Sequence, residues 1–161
     1  VGAQAPLALA DEARPTAVGD AGFFIDSGQP FAPALSRAVA LGDLDGDGDL
    51  DAFIVNIGPD MVWFNDGWGR FTDSGQRLGN DHGSSVALGD LDGDGYLDAL
   101  VGSDDGGPRR IWLNDGTGHF TLSGQVAGLG YTRAIALGHL DGGEPGDRLD
   151  AFIVNGGGAT N

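Results

Sequence analysis

The sequence predicts an all-β fold of tandem four-stranded antiparallel units, on three observations. Two phrases recur along the chain in fixed register. No segment sustains an apolar period of 3.6 residues, so helices are not expected. Glycine makes up 31 of the 161 residues, which suits many tight turns and short strands.

The first phrase is AVALGDLDG at Ala38–Gly46, SVALGDLDG at Ser85–Gly93 and AIALGHLDG at Ala134–Gly142. The second is FIDSGQ at Phe24–Gln29, FTDSGQ at Phe71–Gln76 and FTLSGQ at Phe120–Gln125. Gln29 to Gln76 is 47 residues and Gln76 to Gln125 is 49; Gly42, Gly89 and Gly138 keep the same offsets. Such a register marks an internal repeat.

Within one repeat the pattern predicts four strands. Arg37–Leu41 is short and apolar. Asp51–Asn56 is dense in aromatic and β-branched residues, which favour strands. Met61–Asn65 and Arg70–Asp73 flank Asn65-Asp66-Gly67, whose residues tolerate left-handed dihedrals and so form a hairpin turn; Asn114-Asp115-Gly116 repeats it. A four-stranded unit of this length is the blade of a β-propeller, and each blade must stack on neighbours to bury its faces. The chain holds about three such units, one of them split. Residues 18–36 supply a tail half, 37–84 and 85–133 whole repeats, and 134–161 a head half. The two halves add up to one repeat. They complete each other within the chain or between chains, or the chain is part of a longer protein; joining between chains is head to tail and gives a ring or a filament.

Between the first two strands lies an acidic loop. Asp43–Asp51 reads DLDGDGDLD and Asp90–Asp98 reads DLDGDGYLD. Asp43, Asp45 and Asp47, and likewise Asp90, Asp92 and Asp94, alternate on one side of a tight loop. Asp49 and Tyr96 can offer a backbone carbonyl, and Asp51 and Asp98 can close the shell. Hard oxygen donors in that number suit Ca²⁺. An EF-hand is excluded, because its twelfth position, a Glu there, is Ile54 or Val101 here. Unneutralised carboxylates two residues apart repel, and nine of the 24 acidic residues fall in these two loops. The third loop, His139–Asp150, carries three extra residues and His139 in place of the first Asp. It leaves a weaker site on Asp141, Asp147 and Asp150, with Glu144 also within reach.

These loops and strands resemble the FG-GAP/VCBS repeats of integrin-α-type β-propellers over residues 18–161. The resemblance implies structural Ca²⁺ at the two DxDGDGxxD loops, with Asp43, Asp45, Asp47, the Asp49 carbonyl and Asp51 as ligands in one. The other takes Asp90, Asp92, Asp94, the Tyr96 carbonyl and Asp98. It also implies a role in adhesion or surface assembly.

Composition narrows the function further. A formal charge of −16, with 8 Arg and no Lys, argues against nucleic acid and against an anionic membrane surface. No apolar run is long enough to span a membrane, and without Cys there is no disulfide framework or thiolate site. Ser84, Ser85, His82 and Asp81 lie together in an inter-blade loop, but no nucleophile elbow accompanies them, so no catalytic residue is assigned. Trp63 and Trp112 share a repeat position and read as core. Trp68, in the hairpin loop, is a candidate interface or ligand residue. Arg109 and Arg110 read as surface charges worth little. Residues 1–17 read as a linker, or as an arm around Ala5–Ala10 donated as a strand to a neighbouring subunit. The expectation is a non-enzymatic, extracellular calcium-binding structural protein of bacterial type that self-assembles head to tail, with a filament as one form of that assembly. The alternative is an adhesion or glycan-binding module from a larger propeller, with a cell-surface protein or glycan as partner.

Overall fold

A computed structural model describes residues 27–31, 34–143 and 148–157. The donated arm at residues 1–17, and the tail half-repeat up to residue 26, lie outside the described residues.

Over the described residues the chain is all-β and antiparallel. The strands are β1 (Leu35–Gly42), β2 (Asp51–Asn65), β3 (Phe71–Asp73), β4 (Leu78–Gly89), β5 (Asp98–Ser103), β6 (Pro108–Asn114), β7 (Phe120–Leu129), β8 (Thr132–Gly138) and β9 (Asp150–Asn155). In the second repeat the order is β4-β5-β6-β7, a four-stranded meander as expected. The first repeat differs in form, because two expected strands run together as the 15-residue β2. That strand doubles back on itself. Asp51 Oδ1 accepts the Asn65 N–H at 2.8 Å, although fully extended chain would separate these residues by about 46 Å. The fold-back falls at Asn56–Asp60, where Asp60 Oδ1 accepts the Asn56 N–H at 3.0 Å and Asn56 Nδ2 donates to the Pro59 carbonyl at 2.8 Å.

The stretch around His82 is strand, not the inter-blade loop that the sequence suggests. The first half of β4 pairs with β2 (Ile57 opposite His82) and its second half with β5 (Val86 opposite Val101). One strand thus closes one repeat and opens the next, and its backbone groups are used on both sides.

The inner hairpins β1–β2, β4–β5 and β8–β9 share a register: Gly42 faces Asp51, Gly89 faces Asp98 and Gly138 faces Asp150. Each has a one-residue slip at the matching place, between Ser36 and Ala38, Gly83 and Ser85, and Thr132 and Ala134. Each acidic loop therefore leaves and re-enters its hairpin in the same way.

The core lies between the first two repeats and gathers Leu44, Phe53, Val55, Val62, Leu78, Ala99, Val101, Trp112 and Phe120. Phe53 meets Phe120 edge to face at 5.2 Å, a favoured aromatic geometry. Trp63 and Trp112 are buried as expected. Along the stack each repeat seats on its neighbour at a glycine. A Cβ on Gly42 would lie 2.6 Å from Leu97 Cδ1 and 3.1 Å from Leu88 Cδ1; on Gly89 it would lie 2.6 Å from Leu149 Cδ1 and 3.0 Å from Leu137 Cδ1. The Leu-Gly pair of each repeat is therefore a packing device: the leucine is a knob for the repeat before, and the glycine a hole for the repeat after.

The Arg109 side chain corrects the sequence reading of a surface charge. It is buried, and its guanidinium donates to Thr132 Oγ1 at 2.9 Å, the Ala127 carbonyl at 3.1 Å and Asn155 Oδ1 at 2.5 Å. With Ser84, whose hydroxyl donates to the Thr132 carbonyl at 2.8 Å, it fixes the third unit to the second.

Candidate metal centre

The two full acidic loops adopt one hydrogen-bond pattern. Asp43 opens the first by accepting the N–H of Gly46 at 2.8 Å on one carboxylate oxygen and that of Gly48 at 3.1 Å on the other. Asp90 does the same with Gly93 at 2.7 Å and Gly95 at 2.9 Å. Gly46 and Gly48 have φ of +82° and +92°, a backbone region that side chains with a Cβ rarely enter. Within each loop Asp45 accepts from Asp47 N and Asp47 from Asp49 N, as Asp92 accepts from Asp94 N and Asp94 from Tyr96 N. These Asx-type bonds fold the loop so that its carboxylates converge.

The closing aspartates are buried anchors. Asp51 accepts the Leu44 N–H at 2.9 Å and the Asn65 N–H at 2.8 Å; Asp98 accepts those of Leu91 and Asn114, both at 2.9 Å. Each ties the loop to the hairpin of its own repeat. Asn114 adds a link between repeats, donating from Nδ2 to the Leu44 carbonyl at 2.8 Å. The sequence places Asn65 and Asn114 at the edge of the hairpin turn; their recurrence at one repeat position is the signal for this second role.

In the first loop carboxylate oxygens of Asp43, Asp45 and Asp51 lie within 4.8 Å of one another, and in the second those of Asp90, Asp92 and Asp94 do so. Asp49 and Tyr96, expected to contribute carbonyls, place their side chains against the hairpin glycines Gly67 and Gly116. Burial pushes the Asp45 carboxyl above its usual range, and the charges of Asp51, Asp47 and Asp43 add to that. Asp98 is raised too, by burial first and then by Asp92 and Asp94, against the hydrogen bonds from Asn114 and Leu91. Crowded, partly desolvated carboxylates are stabilised as anions by a cation among them. The donors are all hard oxygens, and these residues could hold a metal ion of that preference.

The third loop keeps the anchor and the first Asx-type bond, and lacks the cradle. Asp150 accepts the Leu140 N–H at 2.9 Å, and Asp141 accepts that of Gly143 at 3.0 Å. His139 stands where the cradling aspartate of the other loops stands, so no carboxylate is there to receive two glycine N–H groups. Asp147 and Glu144 lie outside the described residues. Trp68 is exposed at the tip of its hairpin.

Fold and site together define an all-β repeat protein with an acidic loop opening each repeat. A family model described as an FG-GAP-like repeat matches residues 43–101 and again 90–142, more than half of the chain. The chain belongs to the FG-GAP-like repeat family. A search of the curated proteins finds no match.

Proposed function

We propose that this chain is a non-enzymatic calcium-binding structural protein that works outside the cell, on a bacterial-type surface, and assembles head to tail from propeller-type repeats. One observation carries the assembly. Among the described residues the third unit has two strands, β8–β9, and its strand Asp150–Asn155 has Phe152 and Val154 exposed there, an apolar face that a neighbour would cover. The two matched acidic loops support calcium. The resemblance to surface and adhesion propellers supports the location, and the charge of −16 keeps nucleic acid out of the list of partners.

In this reading calcium is structural. Asp43, Asp45 and Asp51, with Asp47 and the Asp49 carbonyl, would hold one ion. Asp90, Asp92 and Asp94, with the Tyr96 carbonyl and Asp98, would hold another. Each ion neutralises carboxylates that otherwise repel, and so stiffens the junction on which the next repeat seats. Negative-stain microscopy of the chain with calcium and after EDTA tests the reading. Rings or filaments that dissolve on chelation are expected; single small particles in both conditions would overturn it.

The second reading is an adhesion or glycan-binding module of a larger propeller, with Trp68 as the contact. The exposure of that indole favours it, since aromatic side chains at loop tips serve as interface anchors. Retention on a glycan column that disappears in Trp68→Ala would select it over assembly.

A further inference from the structure

The junction between the first two repeats has three parts, and each has an unfilled counterpart at the ends of the described chain. The first part is a glutamine clamp. Gln76 donates from Nε2 to the Gly118 carbonyl at 2.6 Å and accepts the Phe120 N–H at 2.9 Å. Gln29 treats the preceding hairpin identically, through the Gly69 carbonyl at 2.5 Å and the Phe71 N–H at 2.8 Å. Gln125, next in the series, has an exposed side chain that makes no hydrogen bond among the described residues. Beside it opens a cavity of about 80 Å³ lined by Leu91, Ile111 and Leu113. Leu44, Val62 and Phe64 are their counterparts one repeat earlier, where the hairpin Asn114–Phe120 covers them, with Gly118 directly against the Phe64 ring.

The second part is the anchor aspartate. Asp51 and Asp98 each accept a second N–H from a hairpin asparagine; Asp150 accepts only that of Leu140 among the described residues. The third part is the knob and hole. Gly138 has nothing within 4 Å of its Cβ position among the described residues, while Gly42 and Gly89 are filled by leucines. At the other end Leu41 and Leu50, which match the knobs Leu88 and Leu97, are 57 % and 55 % exposed.

We propose that a second copy of the chain fills all three vacancies at once, which completes the split repeat in trans. The sequence has a third copy of the hairpin phrase. Counting back 47 residues from Gly69 and Phe71 gives Gly22 and Phe24, and from Asn65 gives Val18. The incoming copy's own hairpin phrase, which recurs at Gly22 and Phe24, is the segment that matches the seat beside Gln125. The same copy then brings Leu41 and Leu50 over Gly138. Completion within one chain is opposed by reach: Gln29 is already seated on the first repeat. The five residues back to Phe24 span at most about 18 Å, and the vacant seat is lined by Leu91, Ile111 and Leu113, one repeat beyond the hairpin that Gln29 holds. The interface is heterologous, one end against the other, so it propagates or closes a ring. This inference rests on the head-to-tail reading above and supplies its contacts.

The test is sedimentation velocity of the full chain, in calcium and physiological salt, with three variants at positions that are exposed or open in the single chain: Leu41→Asp, Gly138→Glu and Gln125→Ala. Circular dichroism verifies that each is folded. The wild-type chain is expected to associate. Leu41→Asp and Gly138→Glu alone should each associate at least about tenfold more weakly, the loss expected for a buried leucine contact, and Gln125→Ala should be weakened too. The decisive arm is an equal mixture of Leu41→Asp and Gly138→Glu, which pairs one intact knob with one intact hole and should give dimers that grow no further. If the wild type associates and the variants do so equally well, this interface is wrong while head-to-tail assembly stands. If the wild type stays monomeric, the reading beneath it fails, and the open ends belong to covalently linked neighbouring repeats.

Discussion

The hexapeptide Asp-Ala-Phe-Ile-Val-Asn occurs twice, at Asp51–Asn56 and Asp150–Asn155, and the molecule treats the two copies oppositely. Phe53 and Val55 are fully buried, while Phe152 and Val154 are 62 % and 46 % exposed. Both copies pair with an inner strand in the same register, and both begin with an aspartate that anchors an acidic loop. What differs is the neighbour. The first copy has a following repeat, which brings Phe120 onto Phe53; the second has none among the described residues. Local sequence makes the strand, and only stacking makes it core. The asparagine ends differ as well. Asn56 is held by the buried carboxyl of Asp60, and Asn155 by the buried guanidinium of Arg109, residues at one repeat position 49 apart.

The largest effect should come from truncating the buried phenylalanine of the first copy. Phe53→Ala is expected to lower stability by about 3–5 kcal/mol, the usual result of emptying a packed aromatic site. Urea unfolding measures it, and a loss below about 1 kcal/mol would mean that the first strand is not core.

Next in size is the pH dependence at Asp60. Burial, reinforced by the nearby charge of Asp81, pushes its carboxyl up to about 7. Between the ordinary carboxylate range and that value the folded chain holds a proton that the unfolded chain has released. Stability therefore falls as pH rises through this window and levels off above it. Asp60→Asn keeps an acceptor for the Asn56 N–H and should be more stable than the wild type above pH 7, by on the order of 2–4 kcal/mol. The difference should shrink toward pH 4. Paired unfolding curves across that range, at constant calcium, check it; a pH-independent difference would refute the assignment.

Calcium removal comes third. At millimolar calcium and the affinity of weak extracellular modules, each loop should add about 0.5–1.5 kcal/mol, so EDTA should lower the melting temperature. Calorimetric titration should find one ion fewer in Asp43→Asn and no change in Asp141→Asn, because the third loop lacks the cradling aspartate. An unmoved melting temperature would remove calcium from the account.

The smallest effect is expected at Phe152. Phe152→Ala should change the stability of the single chain by less than about 0.5 kcal/mol and show itself only in association. A loss comparable to that of Phe53→Ala would mean that the second hexapeptide is already covered within one chain.

Much of this molecule was legible in its residues. The offsets of 47 and 49, the Asn-Asp-Gly hairpins and the two DxDGDGxxD loops determined the repeat, its antiparallel β class and the position of the acidic clusters. Turn chemistry and apolar pattern act over a few residues and need no partner. The run of β4 through the stretch around His82 was hidden because its two halves pair with different strands. The burial of Arg109 is not legible in sequence because its partners Thr132 and Asn155 lie 23 and 46 residues away, and nothing local tells a buried guanidinium from a solvated one. The knob-and-hole role of the Leu-Gly pairs was equally out of reach, since Gly42 is filled by leucines of the following repeat. Sequence alone determined what each repeat is. Tertiary structure alone decided which copy of an identical strand becomes core, because burial belongs to a strand together with its neighbour.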